Sequence, residues 1–143
     1  MSTFVTRIAI AAPPAVVWDV MTRFEQWPEW TASVTSLVAL TPSPPGLGAR
    51  YRIVQPSLQP SELTITDWQP GSRFVWVARK TGLVMTADHV IQAAPAGCAV
   101  ELIVRYEGLL GGLVGLLAGG LTRRYMAMEA SGLRARSEEI ARR

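Results

Sequence analysis

The chain has one cysteine, Cys98, and one histidine, His89, in 143 residues. An intrachain disulfide is therefore impossible, and a zinc site built from Cys and His has too few ligands, so no metal or other cofactor is expected. Lysine is almost absent too: of fourteen basic residues only Lys80 is not arginine. Over residues 1–107 eight basic residues balance eight acidic ones, and the net charge of +3 arises in residues 108–143, which hold six basic and three acidic. A dense basic stripe with stacking or base-reading groups beside it is missing, which argues against nucleic acid as a partner. No charged leader with an apolar core opens the chain, and a cytoplasmic protein is expected. The most apolar run, Leu109–Leu121, has 13 residues with five glycines, short of the ~18–20 that a membrane-crossing helix needs. A G-x-S-x-G nucleophile elbow, a phosphate-cradling P-loop and a dinucleotide fingerprint are also lacking.

What is present is apolar. Hydrophobic residues make up 49% of the chain against 17% charged, with five tryptophans and a mean hydropathy of +0.21. A chain of this length forms one domain, 1–143, that buries roughly 68–70% of its unfolded surface. The apolar surplus is expected to leave room inside for a guest.

Phe4, Thr6, Ile8 and Ile10 alternate with Val5, Arg7 and Ala9, a period-two strand that ends before Pro13-Pro14. Proline is tolerated in a first helical turn, so Pro14 starts a short helix with Val17, Trp18 and Met21 on one face. Phe24–Trp30 forms a second short helical piece broken at Pro28. Strands follow at Ser33–Leu40, Ala49–Val54, Glu62–Trp68, Arg73–Arg79, Leu83–Ala93 and Ala99–Glu107, separated by turn-rich stretches that include Pro70-Gly71, Thr81-Gly82 and Ala94–Gly97. From Leu110 the spacing changes to about 100° per residue, with Leu110, Leu113, Val114, Leu117, Leu121, Tyr125, Met128 and Gly132 in one stripe, which predicts a long terminal helix with that stripe inward. Gly111, Gly115 and Gly119 fall on another side. Each glycine costs a helix about 1 kcal/mol against alanine, for which close approach to a neighbouring backbone and a segment that yields to a ligand are both sufficient causes.

The order is a strand, two short helices, a run of antiparallel strands and a long helix. The local words are Ala11–Trp18, Trp27-Pro-Glu-Trp30, Gly46-Leu-Gly48, Pro70–Trp76, Asp88-His89 and Glu129–Glu138. Together they resemble the START-like superfamily that includes polyketide cyclases and dehydrases. The resemblance covers essentially the whole chain. It implies an α+β helix-grip fold, in which a curved antiparallel sheet wraps around the C-terminal helix, with an apolar internal cavity for a lipid, polyketide or other hydrophobic small molecule. The superfamily contains binders and carriers as well as enzymes, so a cyclase or dehydrase using the same cavity is the alternative function.

Alternation along the strands sorts Tyr51, Trp76, Met85, His89, Leu102 and Tyr106 onto the inward face. From the last helix Leu117, Leu121 and Tyr125 are expected to join them as ligand contacts, and Trp30 to line one end of the cavity. His89 is the candidate acid or base, because its ordinary pKa lies near neutrality; a hydrogen-bonded core histidine is the competing reading. Asp88 projects to the opposite face, which rules out a sequence-adjacent Asp-His relay. Arg124, close to the apolar stripe, is a candidate partner for an anionic head group. Cys98 falls in a turn as an incidental thiol. Transient contact of the basic terminal helix with a membrane surface, and a homodimer, remain open.

Overall fold

Pro13 and Pro14 separate the first strand from the first helix, since neither can donate a ladder hydrogen bond. The computed structural model describes residues 1–143 and runs β1 (Ser2–Ile10), α1 (Pro14–Thr22), a 3-10 turn (Phe24–Glu29), β2 (Ser36–Ala39), β3 (Arg50–Val54), β4 (Ser61–Gln69), β5 (Arg73–Lys80), β6 (Leu83–Ala94), β7 (Gly97–Glu107) and α2 (Gly111–Ala141). The seven strands form one antiparallel sheet in the order β1-β7-β6-β5-β4-β3-β2. The curved sheet holds α2 on its concave side, against β1 and β7, which is the helix-grip arrangement. No helix is long and apolar enough to cross a membrane.

Register decides which side chains meet. Trp68, Phe74, His89, Leu102 and Thr6 are successive partners across β4, β5, β6, β7 and β1, and the next row is Asp67, Val75, Asp88, Ile103 and Val5. Adjacent rows face opposite sides of the sheet. The first therefore builds the concave core, where Phe24 and Trp27 from the 3-10 turn pack on Phe74 and Trp76 with ring centroids 5.1–5.2 Å apart for the Phe24–Phe74, Phe24–Trp76 and Trp27–Trp76 pairs. The Trp27 indole N–H, buried, donates to Met21 O at 2.9 Å and ties this turn to α1.

Two sequence expectations are corrected. Cys98 lies in β7, opposite Ile10 and Ala93, and is buried. The β6–β7 turn is shorter than its composition implies because Gly97, at φ 142°, pairs with Ala94, where a Cβ would overlap the Ile10 carbonyl oxygen. The second correction concerns α2, whose inward edge is Gly111, Gly115, Gly119, Met126, Ala130, Leu133 and Ser137, while Leu113 and Leu117 are exposed. Close approach to β1 and β7 sets this face. A Cβ at Gly115 would strike Ser2 Oγ, and one at Gly111 would lie 2.6 Å from Tyr106 O. The glycines let the helix settle on β1 and β7, and the leucines are turned outward as a result.

Gly132 meets the same constraint at the other end, where a Cβ would overlap the Trp30 carbonyl oxygen. Gly132→Ala should cost about 1–3 kcal/mol, as overpacking against backbone does, and lower the melting temperature by roughly 2–4 °C per kcal/mol. An unchanged melting temperature would show that the Trp30 segment moves aside freely.

Candidate functional site

Between the concave sheet and α2 lies a cavity of about 140 Å³ with mostly apolar walls. For scale, an apolar void near 150 Å³ accommodates benzene. Of the residues expected at a ligand, Trp76, Met85, His89, Leu102, Tyr106, Leu121 and Tyr125 line it. Four expected residues lie elsewhere. Tyr51 is buried against Phe24, 4.7 Å between ring centroids, so its ring belongs to the core beneath the 3-10 turn. Burial, then the nearby Glu25, raises its pKa. Leu117 is 77% exposed because the glycine edge of α2 turns it out. Trp30 and Arg124 border a separate open depression beside Gly132, so Arg124 is not placed to meet the head group of a ligand in the cavity.

The cavity wall contains a group that composition and spacing did not single out, Glu129. Its spacing holds the signal: Met126, Glu129 and Leu133 recur three and four residues apart, which places the carboxyl on the face of α2 that packs inward. The Glu129 side chain is 17% exposed, and His89 Nε2 stands 4.0 Å from Glu129 Oε2. Burial disfavours the anion and raises the Glu129 pKa to about 8.

His89 is held by aromatic surfaces. Its ring stacks on Phe74 at 4.1 Å and 10°, with Trp76 edge-on at 5.3 Å and Trp27 at 6.1 Å. The side chain is 3% exposed and Nδ1 is buried without a hydrogen-bond partner. Burial lowers its pKa to about 4, against smaller opposing effects of Asp88 and of the Phe74 and Ala87 backbone. Asp88 itself points through the sheet, where Arg73 donates Nε to Oδ1 at 2.9 Å and a terminal nitrogen to Oδ2 at 2.7 Å. At neutral pH the cavity therefore holds an uncharged histidine beside a protonated carboxylic acid.

The other ionisable groups of the wall are already engaged. Thr122 Oγ1 donates to Ala118 O at 2.9 Å, so at the 2.7 Å contact between Tyr106 and Thr122 the phenol is the donor. The Tyr125 hydroxyl donates to Pro56 O, strapping α2 to the β3–β4 loop over one side of the cavity. Asp88 is clamped by Arg73. His89 and Glu129 are left with unused hydrogen-bonding capacity at the cavity.

Solved structures share the architecture. A Thermus thermophilus protein, TTHA0849, superposes with a TM-score of 0.78 at 20% identity over 98% of this chain and 99% of that one. The aromatase/cyclase Zhui from Streptomyces sp. R1128 gives 0.76 at 14% identity over 96% and 93%. The di-domain aromatase/cyclase StfQ of the steffimycin biosynthetic pathway gives 0.78 at 14% identity over 99% of this chain and 52% of that one. At such identities the likeness shows the fold alone. A search of curated proteins returned no match. The family described as polyketide cyclase / dehydrase and lipid transport matches residues 1–138, and with nearly the whole length covered, the chain belongs to that family.

Proposed function

We propose that the protein binds a small hydrophobic molecule in the cavity between the sheet and α2. The observation that carries this reading is the void itself, about 140 Å³ with apolar walls and a few polar atoms converging on it, the usual construction of a small-molecule site. Trp27 and Trp76 both line it, so occupancy should change intrinsic fluorescence. Organic extraction and mass spectrometry of the purified protein, with fluorescence titration by single-ring hydrocarbons, tests the reading. A protein that copurifies with no apolar molecule and whose emission no such ligand moves does not use this cavity. The rival reading is a cyclase or dehydrase reaction in the same space, with His89 and Glu129 exchanging protons with substrate. Once a ligand is identified, His89→Gln separates the two: turnover collapses for an enzyme, while a carrier shows only a modest change in affinity.

A second reading concerns where the ligand is exchanged. Leu109, Leu116 and Leu117 are 97%, 79% and 77% exposed at the start of α2. Arg124 follows on the same side of the helix by its 100° spacing, while the Arg123 guanidinium lies over the Phe4 ring at 4.9 Å, and the exposed Arg79 and Lys80 end β5 at the β5–β6 hairpin, whose Gly82 O accepts from Leu110 N at 2.8 Å. Leu58, Leu121 and Tyr125 from the adjoining loop and helix line the cavity. An apolar face rimmed by cations fits an anionic bilayer. Flotation with vesicles containing phosphatidylserine should recover the protein at low salt, less at high salt, and severalfold less for Leu116→Glu with Leu117→Glu. Loss of a sedimenting dimer in that variant, without any vesicle binding, would assign the face to a second copy of the chain instead.

A further inference from the structure

Building on the proposed cavity binding, we infer that Glu129 and His89 form a two-donor clamp for a carbonyl oxygen, so that the site takes an uncharged ketone or ester and rejects a carboxylate. The geometry is that of two donors meeting on one acceptor. The 4.0 Å between Nε2 and Oε2 is too long for a mutual hydrogen bond, but an oxygen about 2.8 Å from each fits between them at ordinary hydrogen-bond lengths. Both atoms belong to groups on the cavity wall.

The donor assignment follows from the surroundings. His89 Nδ1 is buried and makes no hydrogen bond, and the clamp takes the tautomer with the proton on Nε2, which leaves no N–H orphaned at Nδ1. Burial keeps Glu129 protonated at neutral pH, so its hydroxyl is available to donate, as a neutral buried acid can. The titratable groups facing the pair are Tyr106 from β7, donating to Thr122, and Tyr125 from α2, donating to Pro56 O. Asp88 on β6 is turned away to Arg73. No arginine or lysine lines the cavity. A ligand carboxylate would therefore enter an apolar space with no cation to offset its desolvation, and above pH 8 it would face a second anion.

The clamp is tested by titrating the protein with cyclohexanone, methylcyclohexane and cyclohexanecarboxylate, read by tryptophan emission from pH 6 to 9. Cyclohexanone affinity should be level up to pH 7 and about tenfold weaker at pH 9, because each pH unit above the Glu129 pKa removes the donor from nine-tenths of the remaining protein. In Glu129→Gln, whose amide donates without titrating, the profile should be flat. Glu129→Leu and His89→Phe should each weaken cyclohexanone at least tenfold while leaving methylcyclohexane unchanged or tighter. Cyclohexanecarboxylate at pH 7 should show no binding at concentrations that saturate the ketone. A ketone affinity indifferent to Glu129→Leu, or a carboxylate bound as tightly as the ketone, overturns the clamp while hydrocarbon binding still upholds the cavity. If neither the ketone nor the hydrocarbon binds, the cavity reading itself fails and the clamp with it.

Discussion

Glu129→Leu should stabilise the fold at pH 8 by on the order of 3 kcal/mol, the reverse of what deleting a buried polar side chain usually does. The Glu129 carboxyl titrates at about 8 in the folded protein against an ordinary 4.5, because burial penalises its anion. An acid whose folded pKa is raised holds its proton longer in the folded state than in the unfolded chain, so stability falls as pH rises from 4.5 towards 8. At ~1.36 kcal/mol per unit the whole shift corresponds to about 5 kcal/mol. The partial exposure of the side chain and water entering the cavity reduce what is recovered to about 3 kcal/mol. Denaturant unfolding of both proteins at pH 8 measures it, and a leucine variant less stable than wild type would mean the carboxyl is well solvated in the fold.

His89 gives the profile its shape. Its folded pKa of about 4 lies below the ordinary 6.5 because of burial, so between those values the unfolded chain holds the extra proton and stability rises with pH. From 4.5 to 6.5 the two slopes cancel: the folded protein carries its proton on Glu129 and the unfolded chain carries one on His89. The pair therefore contributes a plateau over that range and then a loss of about 1 kcal/mol between pH 6.5 and 8. Glu129→Gln should remove the alkaline loss and expose the histidine slope at acid pH. His89→Phe should start the decline at pH 4.5. Subtracting the wild-type curve from each variant cancels the groups they share.

The legible part of this protein is whatever a fixed period controls. Alternation places His89 and Leu102 on one face and Asp88 on the other, and the register of β5, β6 and β7 has that arrangement. Pro14, Pro28 and the glycine turns mark the element boundaries to within a few residues. Hydrophobicity misleads about the face of α2, because contact with Ser2 and Tyr106 is made where there is no side chain at all. Once the glycine edge is inward, Leu117 goes out and Glu129 comes in with Met126 and Leu133. Arg124 turns with the same face to the depression beside Gly132, where the Trp30 segment packs on the helix. The 4.0 Å approach of Glu129 to His89 joins residues forty positions apart, and no local pattern encodes it.

Trp27→Ala should be the most damaging single change near the cavity and also the one that changes what fits. The ring is 1% exposed, packs against Phe24, Trp30 and Trp76, and approaches His89 edge-on. Truncating a buried tryptophan costs about 3–5 kcal/mol, part of it from the void left behind, and here the lost indole N–H also leaves Met21 O without its side-chain donor. Because Trp27 lines the existing cavity, the new void joins it. Wild type should accept single-ring ligands and refuse naphthalene, whereas Trp27→Ala should bind naphthalene and recover part of its lost stability through that binding, by about 2.7 kcal/mol at a ligand concentration one hundred times Kd. If the alanine variant does not fold unliganded, Trp27→Leu leaves a smaller void and the same ranking of ligands. Thermal melts with and without naphthalene decide the matter: equal stabilisation of wild type and variant would mean that the bound ring sits elsewhere, and no stabilisation of either would mean that the core collapses into the space the indole vacates.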